Sequence, residues 1–389
     1  MLSRLEVNFF KKFLNLKVEN LSRINIIIGI NNVGKTTVLE AIMGMASGQN
    51  LSSVLNFAVW RRFPQTQNPN NSFLLAELIA NVFHNRSSIN NRELLFSWGG
   101  TFDGKMKIFA HTLKPGQIVA SLLPNSHVIV DGTEILHKQV PMPFPIAPGS
   151  SVMIDVPSQY LGEWDIVSIG DGEMPFTYEL STPIQLNQIP PQKVFFPAML
   201  HDFTTYRNET EIAKVYSYLQ NQDSLQVFVE EMNKSFPEMH IKTIENIPYT
   251  DGSAAPIRVK FDNGSRCPVY ALGDGFRRWY ELLGGMVTFP NSVHCIEEAD
   301  ATIHHEAQEG FSVNLARYAQ KYNNQIFLTT HNVEYLETFL TAIEANEKDC
   351  LKNEVRVITL RHYGDEVRHR TLDGAEALKA IRRGLELRV

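Results

Sequence analysis

Hydrophobic positions near the start of the chain follow two periods. Residues 5–18 predict two short strands with a turn at 10–13, and the apolar, β-branched run at 24–28 predicts a buried strand. After a loop, apolar residues recur at helical spacing over 35–45, which predicts a helix that ends near residue 48. Helical spacing returns over 52–85, where asparagine-rich stretches predict loops between the helices.

The pattern changes between residues 92 and 191. Short β-rich runs are separated there by Gly, Pro, Asn and Asp at close spacing, which predicts an antiparallel β region. The division that follows is an N-terminal part, 1–91, a β-rich insertion, 92–191, and a C-terminal part, 192–389. We expect no long coiled coil, because no helical pattern in the insertion is long enough for one.

The C-terminal part alternates helical and strand patterns. Helical spacing covers 208–236, strands are expected at 239–247 and 257–261, and Asn263-Gly264 is a strong hairpin signal. Further strands are expected at 293–296 and 325–330. The tail, 351–389, predicts two strands and a helix.

Composition places few further limits on the protein. The chain has 389 residues, 43% of them hydrophobic and 20% charged, which is ordinary for a soluble globular protein of about two to three domains. Cys267, Cys295 and Cys350 have no pairing or metal spacing, which favours a reducing, cytoplasmic compartment. No window approaches the roughly 18 apolar residues of a membrane span. The net charge of −6 argues against a surface made for non-specific nucleic-acid binding.

The loop at 29–36, GINNVGKT, has the spacing G-x-x-x-x-G-K-[ST] between a predicted strand and a predicted helix. Gly29 and Gly34 allow backbone conformations that a Cβ would forbid, so that backbone N–H groups can surround a phosphate. Lys35 is expected on the β- and γ-phosphates and Thr36 on Mg²⁺. The sequence therefore predicts a nucleoside triphosphate site.

Two later strands end in polar residues. Glu297 and Glu298 follow the strand at 293–296, where one carboxylate could join the Mg²⁺ shell and the next could polarise the attacking water. His331 follows the strand at 325–330, where it could bind the γ-phosphate or orient the water. A solvated acidic loop and a structural histidine are the alternatives.

A glycine-rich turn, Gly273-Asp274-Gly275, opens an amphipathic helix. The free N–H groups of such a helix start suit an anion, although an ordinary N-cap by Asp274 is the alternative. Arg277 and Arg278 follow. They could contact phosphate or a partner, but we expect both to be exposed arginines on the helix surface.

The order of these motifs resembles the ABC-type ATPase heads of the SMC, RecF and OLD group. Residues 20–41 also match the pattern NLSRINxIxGxNNVGKTTxLEA of OLD-like "AAA family ATPase" proteins of bacteria. The resemblance implies an α/β P-loop NTPase fold with an ABC-type head and a mixed β-sheet flanked by helices. It also implies ATP and Mg²⁺ as ligands, with a Walker A loop whose nucleotide contacts come from Gly29, Asn31, Asn32, Gly34, Lys35, Thr36 and Thr37.

The resemblance extends to the other motifs. Residues 272–276 look like the signature motif, in which Gly273 and Gly275 would contact the nucleotide of the opposite subunit. The pair at 297–298 looks like Walker B, with Glu297 joining Thr36 at the metal and Glu298 acting as catalytic base. Residues 299–304 resemble the D-loop, and His331 resembles the switch histidine. A head-to-head homodimer, or an oligomer of such dimers, is implied.

The chain departs from the family pattern in several places. Glu297 replaces the usual Asp, and Gly273 replaces the usual Ser, so ATP hydrolysis could be slow. The Q-loop glutamine stays open between Gln159 and Gln192. The tail contains no D-x-D, so no nuclease of the OLD type is expected in it.

Three functions remain open. The first is an ATP-hydrolysing dimeric switch that controls a separately encoded effector, such as a nuclease or toxin, in anti-phage defence. The second is a RecF-like DNA-repair ATPase, and the third is a nucleotide-gated scaffold with little turnover. A GTPase is disfavoured because N-K-x-D does not occur. Contact with nucleic acid is left open, and no membrane partner is expected.

Overall fold

A computed structural model describes part of the chain. The described residues are 1–46, 93–101, 104–111, 127–130, 133–136, 166–170, 176–179, 196–249, 251, 255–364 and 366–387. The helices predicted within 52–85 lie outside these ranges, as do Gln159 and Gln192.

A six-stranded mixed sheet forms the centre of the head. Five neighbouring strands run parallel and the last is antiparallel to its neighbour. In spatial order they are β10 (Ala198–His201), β14 (Val293–Ile296), β15 (Gln325–Thr330), β3 (Ile24–Ile28), β16 (Val355–Tyr363) and β17 (Glu366–Asp373). This α/β architecture confirms the predicted fold class.

Three inner strands of this sheet, β3, β14 and β15, are buried along their whole length. Every residue of β3, β14 and β15 is inaccessible to solvent, as expected where helices cover both faces of a parallel sheet. Asn25 is a polar exception within β3, and its side-chain amide donates to the carbonyl oxygens of Ser22 and Ile326. The buried amide is therefore satisfied and links β3 to β15.

Helices pack against the central sheet. Their bounds are α1 (Lys35–Ala46), α2 (Glu209–Asn221), α3 (Leu225–Ser235), α4 (Asp274–Thr288), α5 (His305–Lys321), α6 (Val333–Asn346), α7 (Lys348–Asn353) and α8 (Gly374–Arg382). Phe228, Trp279 and Tyr280 are buried where α3, α4 and α5 meet. The longest of these helices has 17 residues, so the described part of the chain contains no coiled-coil arm.

A second, antiparallel sheet contains the N-terminal hairpin. Its order is β2 (Phe13–Glu19), β1 (Leu2–Phe10), β4 (Glu93–Gly100), β5 (Gly104–His111), β8 (Ile166–Gly170) and β9 (Phe176–Glu179). Because β4 pairs with β1, the β-rich insertion continues a sheet that the first residues begin. The domain limits at 91 and 191 stay a prediction.

Two smaller sheets complete the described strands. One pairs β6 (His127–Val130) with β7 (Thr133–Leu136), and the other contains β11 (Ile241–Glu245), β12 (Arg258–Phe261) and β13 (Arg266–Pro268). Gly264 has a φ of +82° between β12 and β13, which confirms the predicted hairpin. The strand expected from residue 239 starts at Ile241, because Pro237–Met239 forms a 3-10 turn. Among the described helices, none is long and apolar enough to cross a bilayer.

Candidate nucleotide site

Three neighbouring strands bring the predicted motifs to one edge of the central sheet. Strand β3 lies between β15 and β16, and β14 lies on the far side of β15, all of them parallel. The loop at 29–36, the glutamate pair and His331 directly follow β3, β14 and β15. Ligands of open α/β sheets bind at the carboxyl ends of the strands, which is this edge.

The two motif glycines of the loop are required for different reasons. At Gly29 a Cβ would lie 2.6 Å from the carbonyl oxygen of Leu360, so the close approach of β16 excludes a side chain. Gly34 has a φ of +109°, a conformation that side chains rarely adopt. Asn32 also takes a left-handed conformation, with a φ of +63°. Gly34 is therefore required for its backbone conformation, as expected. Gly29 is required because β16 packs too close to leave room for a side chain.

Lys35 folds back onto its own loop. Its Nζ donates to the carbonyl oxygens of Gly29 at 2.8 Å and Ile30 at 3.0 Å. Burial lowers the pKa of Lys35, and the carboxylates of Glu298 and Asp300 act in the opposite direction. The loop thus holds a largely buried cation that faces two carboxylates.

Thr36 and Glu297 meet directly. The Thr36 hydroxyl donates to Oε1 of Glu297 at 2.5 Å, across 261 residues of sequence. A hydroxyl and a carboxylate are donors that Mg²⁺ accepts, and Mg²⁺ usually keeps water and substrate phosphate as its other ligands. The described residues contain no cluster of three or more His, Cys, Asp or Glu that could hold a metal alone. The donor set therefore fits Mg²⁺ bound together with a phosphate.

Glu298 and His331 lie side by side at the open face of this edge. Glu298 Oε1 is 3.7 Å from Nδ1 of His331, and both side chains are about half exposed, at 53% and 49%. Glu298 has a φ of +46°, and its N–H donates to Oγ1 of Thr329 at 2.9 Å. A left-handed glutamate is uncommon, and such conformations cluster at functional sites.

The glycine-rich turn at 273–275, which we call the signature turn, is not capped by Asp274. Helix α4 begins at Asp274 with Gly273 as N-cap, so Asp274 does not cap the helix. The Asp274 carboxylate instead accepts from Arg207 at 2.6 Å. Among the described atoms, nothing lies within 4 Å of where a Cβ on Gly273 would be, and one on Gly275 would meet the Thr302 carbonyl oxygen at 3.4 Å. Within one chain the turn thus contacts its own surroundings rather than the P-loop.

The two arginines after the signature turn are not exposed, contrary to expectation. Arg278 is 2% exposed, and one terminal nitrogen donates to the carbonyl oxygens of Glu297 at 2.6 Å and Glu298 at 2.9 Å. The Arg277 side chain is 12% exposed and lies 3.6 Å from Asp274. The amphipathic pattern missed this because the partners of Arg278 are backbone atoms of a distant turn.

A buried chain of polar groups behind the site was also missed. Nδ1 of His201 lies 2.8 Å from Glu281, Nε2 of His201 lies 2.8 Å from His294, and the far nitrogen of His294 lies 2.8 Å from the Ser292 hydroxyl. Burial, and next the electrostatic interaction with His201, lower the pKa of His294 well below its ordinary value. No local motif joins these residues, so sequence inspection had no signal for them.

Comparison with known proteins supports the ATPase assignment of this edge. Residues 200–337 match the protein family described as "AAA domain, putative AbiEii toxin, Type IV TA system". The matched segment includes the glycine-rich turn at 273–275, the glutamate pair and His331. A protein of Helicobacter pylori named "ATP/GTP phosphatase" is 20% identical, over 95% of this chain and 97% of that protein.

The comparison with solved structures matches SMC heads at low similarity. The SMC head domain from Thermotoga maritima has a TM-score of 0.42 at 11% identity, covering 96% of this chain and 99% of that chain. An Smc head with an extended coiled coil, bound to the C-terminal domain of ScpA and derived from Pyrococcus furiosus, has a TM-score of 0.46 at 10% identity, covering 98% of each chain.

Proposed function

We propose that two copies of this chain enclose ATP between them and hydrolyse it, and that this cycle switches a separately encoded effector. One observation carries the proposal. The hydroxyl of Thr36 contacts the carboxylate of Glu297, and Glu298 and His331 stand beside that pair, at the ends of three adjacent parallel strands. This arrangement supports the proposal, because it places the side chains that we assign as metal ligands and base next to the loop at 29–36.

Each residue has a role that follows from its position. Lys35 exchanges its two carbonyl partners for phosphate oxygens when ATP binds, so the loop opens without losing hydrogen bonds. Thr36 and Glu297 would hold Mg²⁺, which would supply positive charge to the transferred phosphate. Glu298 accepts a proton from the attacking water, and His331 orients that water or the γ-phosphate.

The contact between Thr36 and Glu297 favours a protein that hydrolyses ATP over a nucleotide-gated scaffold with little turnover. Glu297 has one methylene more than the usual Asp, yet its carboxylate reaches the hydroxyl at 2.5 Å. The longer side chain therefore does not remove the carboxylate from the metal position. We infer that hydrolysis proceeds, with a rate set by how Gly273 and Gly275 of the second copy engage the nucleotide.

The open surroundings of the signature turn support the second copy as its partner. Gly273 has room for a ligand, and the N-terminus of α4 offers its first N–H groups to an anion. A nucleotide phosphate held by the P-loop of another copy has the charge and size to fill this place. The active unit is therefore a homodimer.

Glu298→Gln is the variant that tests this function. ATP turnover should fall by a factor of about 10² or more, since a positioned base contributes about 10²–10⁴, while ATP binding remains. ATP should then hold this variant as a dimer in size-exclusion chromatography with light scattering. Lys35→Ala should bind ATP weakly and stay monomeric, and Glu337→Gln, an exposed glutamate on α6, is the matched control that behaves as wild type. Wild-type turnover equal to that of Glu298→Gln would refute hydrolysis by this site.

The effector role rests on the family description. The description of the matching family contains the words "putative AbiEii toxin, Type IV TA system". We propose on this basis that a gene product encoded beside this chain is the effector in anti-phage defence. Phage plating should fall only when the chain and its neighbour are expressed together, and Glu298→Gln should change that protection. Full protection by the neighbour alone would refute the switch.

A RecF-like DNA-binding ATPase is the second candidate, favoured by one surface feature. Tyr363 is 66% exposed at the tip of the β16–β17 hairpin, and the Arg368 guanidinium lies 4.1 Å from its ring centroid, near Arg361 on the facing strand. Arginine beside an exposed aromatic ring suits a nucleic-acid strand. ATP-dependent DNA binding that is lost in Arg361→Glu/Arg368→Glu would select this function.

A further inference from the structure

We infer that Arg278 is a positioning residue that couples the signature helix α4 to the water-polarising Glu298. The inference rests on the proposed function and deepens it, because it names how one half of the composite site controls the other. The hydrogen-bond partners of the Arg278 side chain are the backbone carbonyl oxygens of Glu297 and Glu298, so its effect on catalysis passes through the backbone there.

Arg278 contacts the turn at Glu297 and Glu298 directly. A single guanidinium nitrogen of Arg278 donates to two consecutive carbonyl oxygens, at 2.6 Å on Glu297 and 2.9 Å on Glu298. Two successive carbonyls converge on one donor only where the chain turns sharply. Glu298 is that turn, since its φ is +46°. Arg278 therefore stabilises the left-handed backbone that presents the Glu298 carboxylate.

The guanidinium of Arg278 is buried. A buried charge is costly unless hydrogen bonds or aromatic faces compensate it. The two carbonyl oxygens supply hydrogen bonds, and the ring of Tyr206 lies 5.6 Å from the Arg278 guanidinium carbon, a cation–π distance. The side chain is thus held on both sides, and it cannot swing away from the turn without exposing an unpaired charge to the core.

Helix α4 connects Arg278 to the signature turn. Arg278 follows Gly275 by three residues on α4, so the two positions lie on the same face of the helix, one turn apart. Any displacement of the start of α4 when a partner's nucleotide binds moves the Arg278 side chain with it. Because Arg278 is bonded to the carbonyls of Glu297 and Glu298, the turn moves as well.

Other bonds fix the remaining sides of the turn. The N–H of Glu297 donates to the carbonyl of His201, and the N–H of Ala299 donates to the carbonyl of Thr329, each at 2.9 Å. These bonds tie the turn to β10 and β15, whereas Arg278 ties it to α4. Glu298 therefore adopts the position that catalysis requires only when the bonds to the sheet and the bonds to α4 are made at the same time.

Arg278→Met tests the inference, because methionine keeps the length of the side chain and removes the donors. We expect kcat for ATP to fall by about tenfold to a hundredfold, the scale of a small misplacement of a catalytic group. The KM for ATP, the affinity for ADP and ATP-dependent dimerisation should stay within about twofold, since Lys35 and Thr36 are untouched. Arg278→Lys should recover part of kcat, because an ammonium donates without the planar geometry.

A matched control separates positioning from stability. Arg23 also donates from one nitrogen to backbone carbonyls, those of Ala319 and Asn324, but it precedes β3 at the opposite edge of the sheet. Arg23→Met should lower the melting temperature and leave kcat unchanged. A second readout is the double variant Arg278→Met/Glu298→Gln, which should turn over ATP no more slowly than Glu298→Gln alone.

The outcomes are distinct. Turnover that depends on Glu298 but is unaffected by Arg278→Met would overturn the coupling and leave the proposed function standing. A further decrease in the double variant would also overturn it, since Arg278 would then act without Glu298. If Arg278→Met does not fold, Arg278→Lys decides: a lower kcat at an unchanged KM supports the inference, and a wild-type kcat refutes it. Wild-type protein without Glu298-dependent turnover would refute the proposed function instead.

Discussion

The P-loop and the signature turn both depend on glycine, but their surroundings differ. A Cβ on Gly29 would lie 2.6 Å from a backbone oxygen of β16, and one on Gly34 would lie 3.0 Å from the ring of Phe13. At Gly273, by contrast, no described atom lies within 4 Å of such a Cβ. Contacts within the chain therefore exclude a side chain at the two P-loop glycines, whereas they leave room for one at Gly273.

This difference separates two kinds of sequence constraint. Substitution in the P-loop should disturb folding and ligand binding together, because the same atoms serve both. Substitution in the signature turn should leave the isolated chain intact. It should affect only the contact with the nucleotide that a second copy holds. The following predictions use this contrast, starting with the largest expected effect.

Gly275→Asp should abolish turnover without destabilising the chain. The new carboxylate would repel a nucleotide phosphate at the start of α4, and we expect a loss of about a hundredfold, equivalent to about 2.7 kcal/mol. An acidic residue in the first turn of a helix stabilises it by about 0.3–1 kcal/mol, so the melting temperature should hold or rise. Steady-state ATPase assays and thermal unfolding measure the two effects.

Ala375→Asp is the control for that charge. It adds the same carboxylate to the first turn of α8, where the side chain is exposed. Its turnover should equal that of wild type. A Gly275→Asp variant that unfolds at a much lower temperature would mean that the signature turn is as constrained by its own chain as the P-loop.

Gly29→Ala should destabilise the fold. The added methyl group meets a backbone oxygen of Leu360, which cannot move aside as a flexible side chain could, and overpacking of this kind costs about 1–3 kcal/mol. Denaturant unfolding measures the loss. Gly310→Ala in α5 is the matched control; among the described atoms its Cβ meets nothing within 4 Å, so it should be neutral or stabilising. Equal stability of both variants would contradict the packing account of Gly29.

Acid should lower the free energy of unfolding through the buried His294. Burial and His201 hold its pKa below the ordinary value of about 6.5, so below that pH the unfolded chain takes up a proton that the folded chain does not. The free energy of unfolding should therefore be constant above about pH 6.5 and decrease as the pH falls, by at most about 1.4 kcal/mol per unit. Denaturant unfolding between pH 8 and 5 measures this.

His294→Gln tests the assignment of the pH effect. The variant loses the titrating group, while its amide can still bond to His201 or Ser292. Its stability should fall less steeply with acid than that of wild type. The same slope in both proteins would contradict the assignment of the pH dependence to His294.

Gly273→Ser should have the smallest effect on the isolated chain. Open space around the position accepts the side chain, so the stability should stay within about 0.5 kcal/mol of wild type. The added hydroxyl restores the donor that related signatures carry, and kcat should rise severalfold. Unchanged turnover would show that the missing hydroxyl does not limit the rate.

The features predicted from sequence are those with a local cause. The strand at Ile24–Ile28, the loop at 29–36 and the hairpin at Asn263-Gly264 each follow from neighbouring residues, and the structure has all three. The order of motifs along the chain also predicted that the glutamate pair and His331 would gather at the end of β3, because parallel strands deliver their carboxyl ends to one edge.

The features missed are those that depend on distant partners. Arg278 meets backbone oxygens 19 and 20 residues away, and His201 meets His294 across 93 residues. Hydrophobic periodicity carries no information on such pairs. The position of Arg278 on an amphipathic helix therefore predicted an exposed side chain. Gly29 was expected in a special backbone conformation, whereas the approach of β16, far away in sequence, is what excludes a side chain there.

Mixing two inactive variants tests the composite site most directly. Lys35→Ala lacks a working P-loop and Gly275→Asp lacks a working signature, so each homodimer has two defective sites. A mixed dimer has one site with both defects and one with neither. Random pairing should therefore restore turnover up to about a quarter of the wild-type value at equal total protein, since half of the dimers are mixed and each has one intact site. Turnover that stays at the sum of the two separate variants would contradict a site shared between two copies.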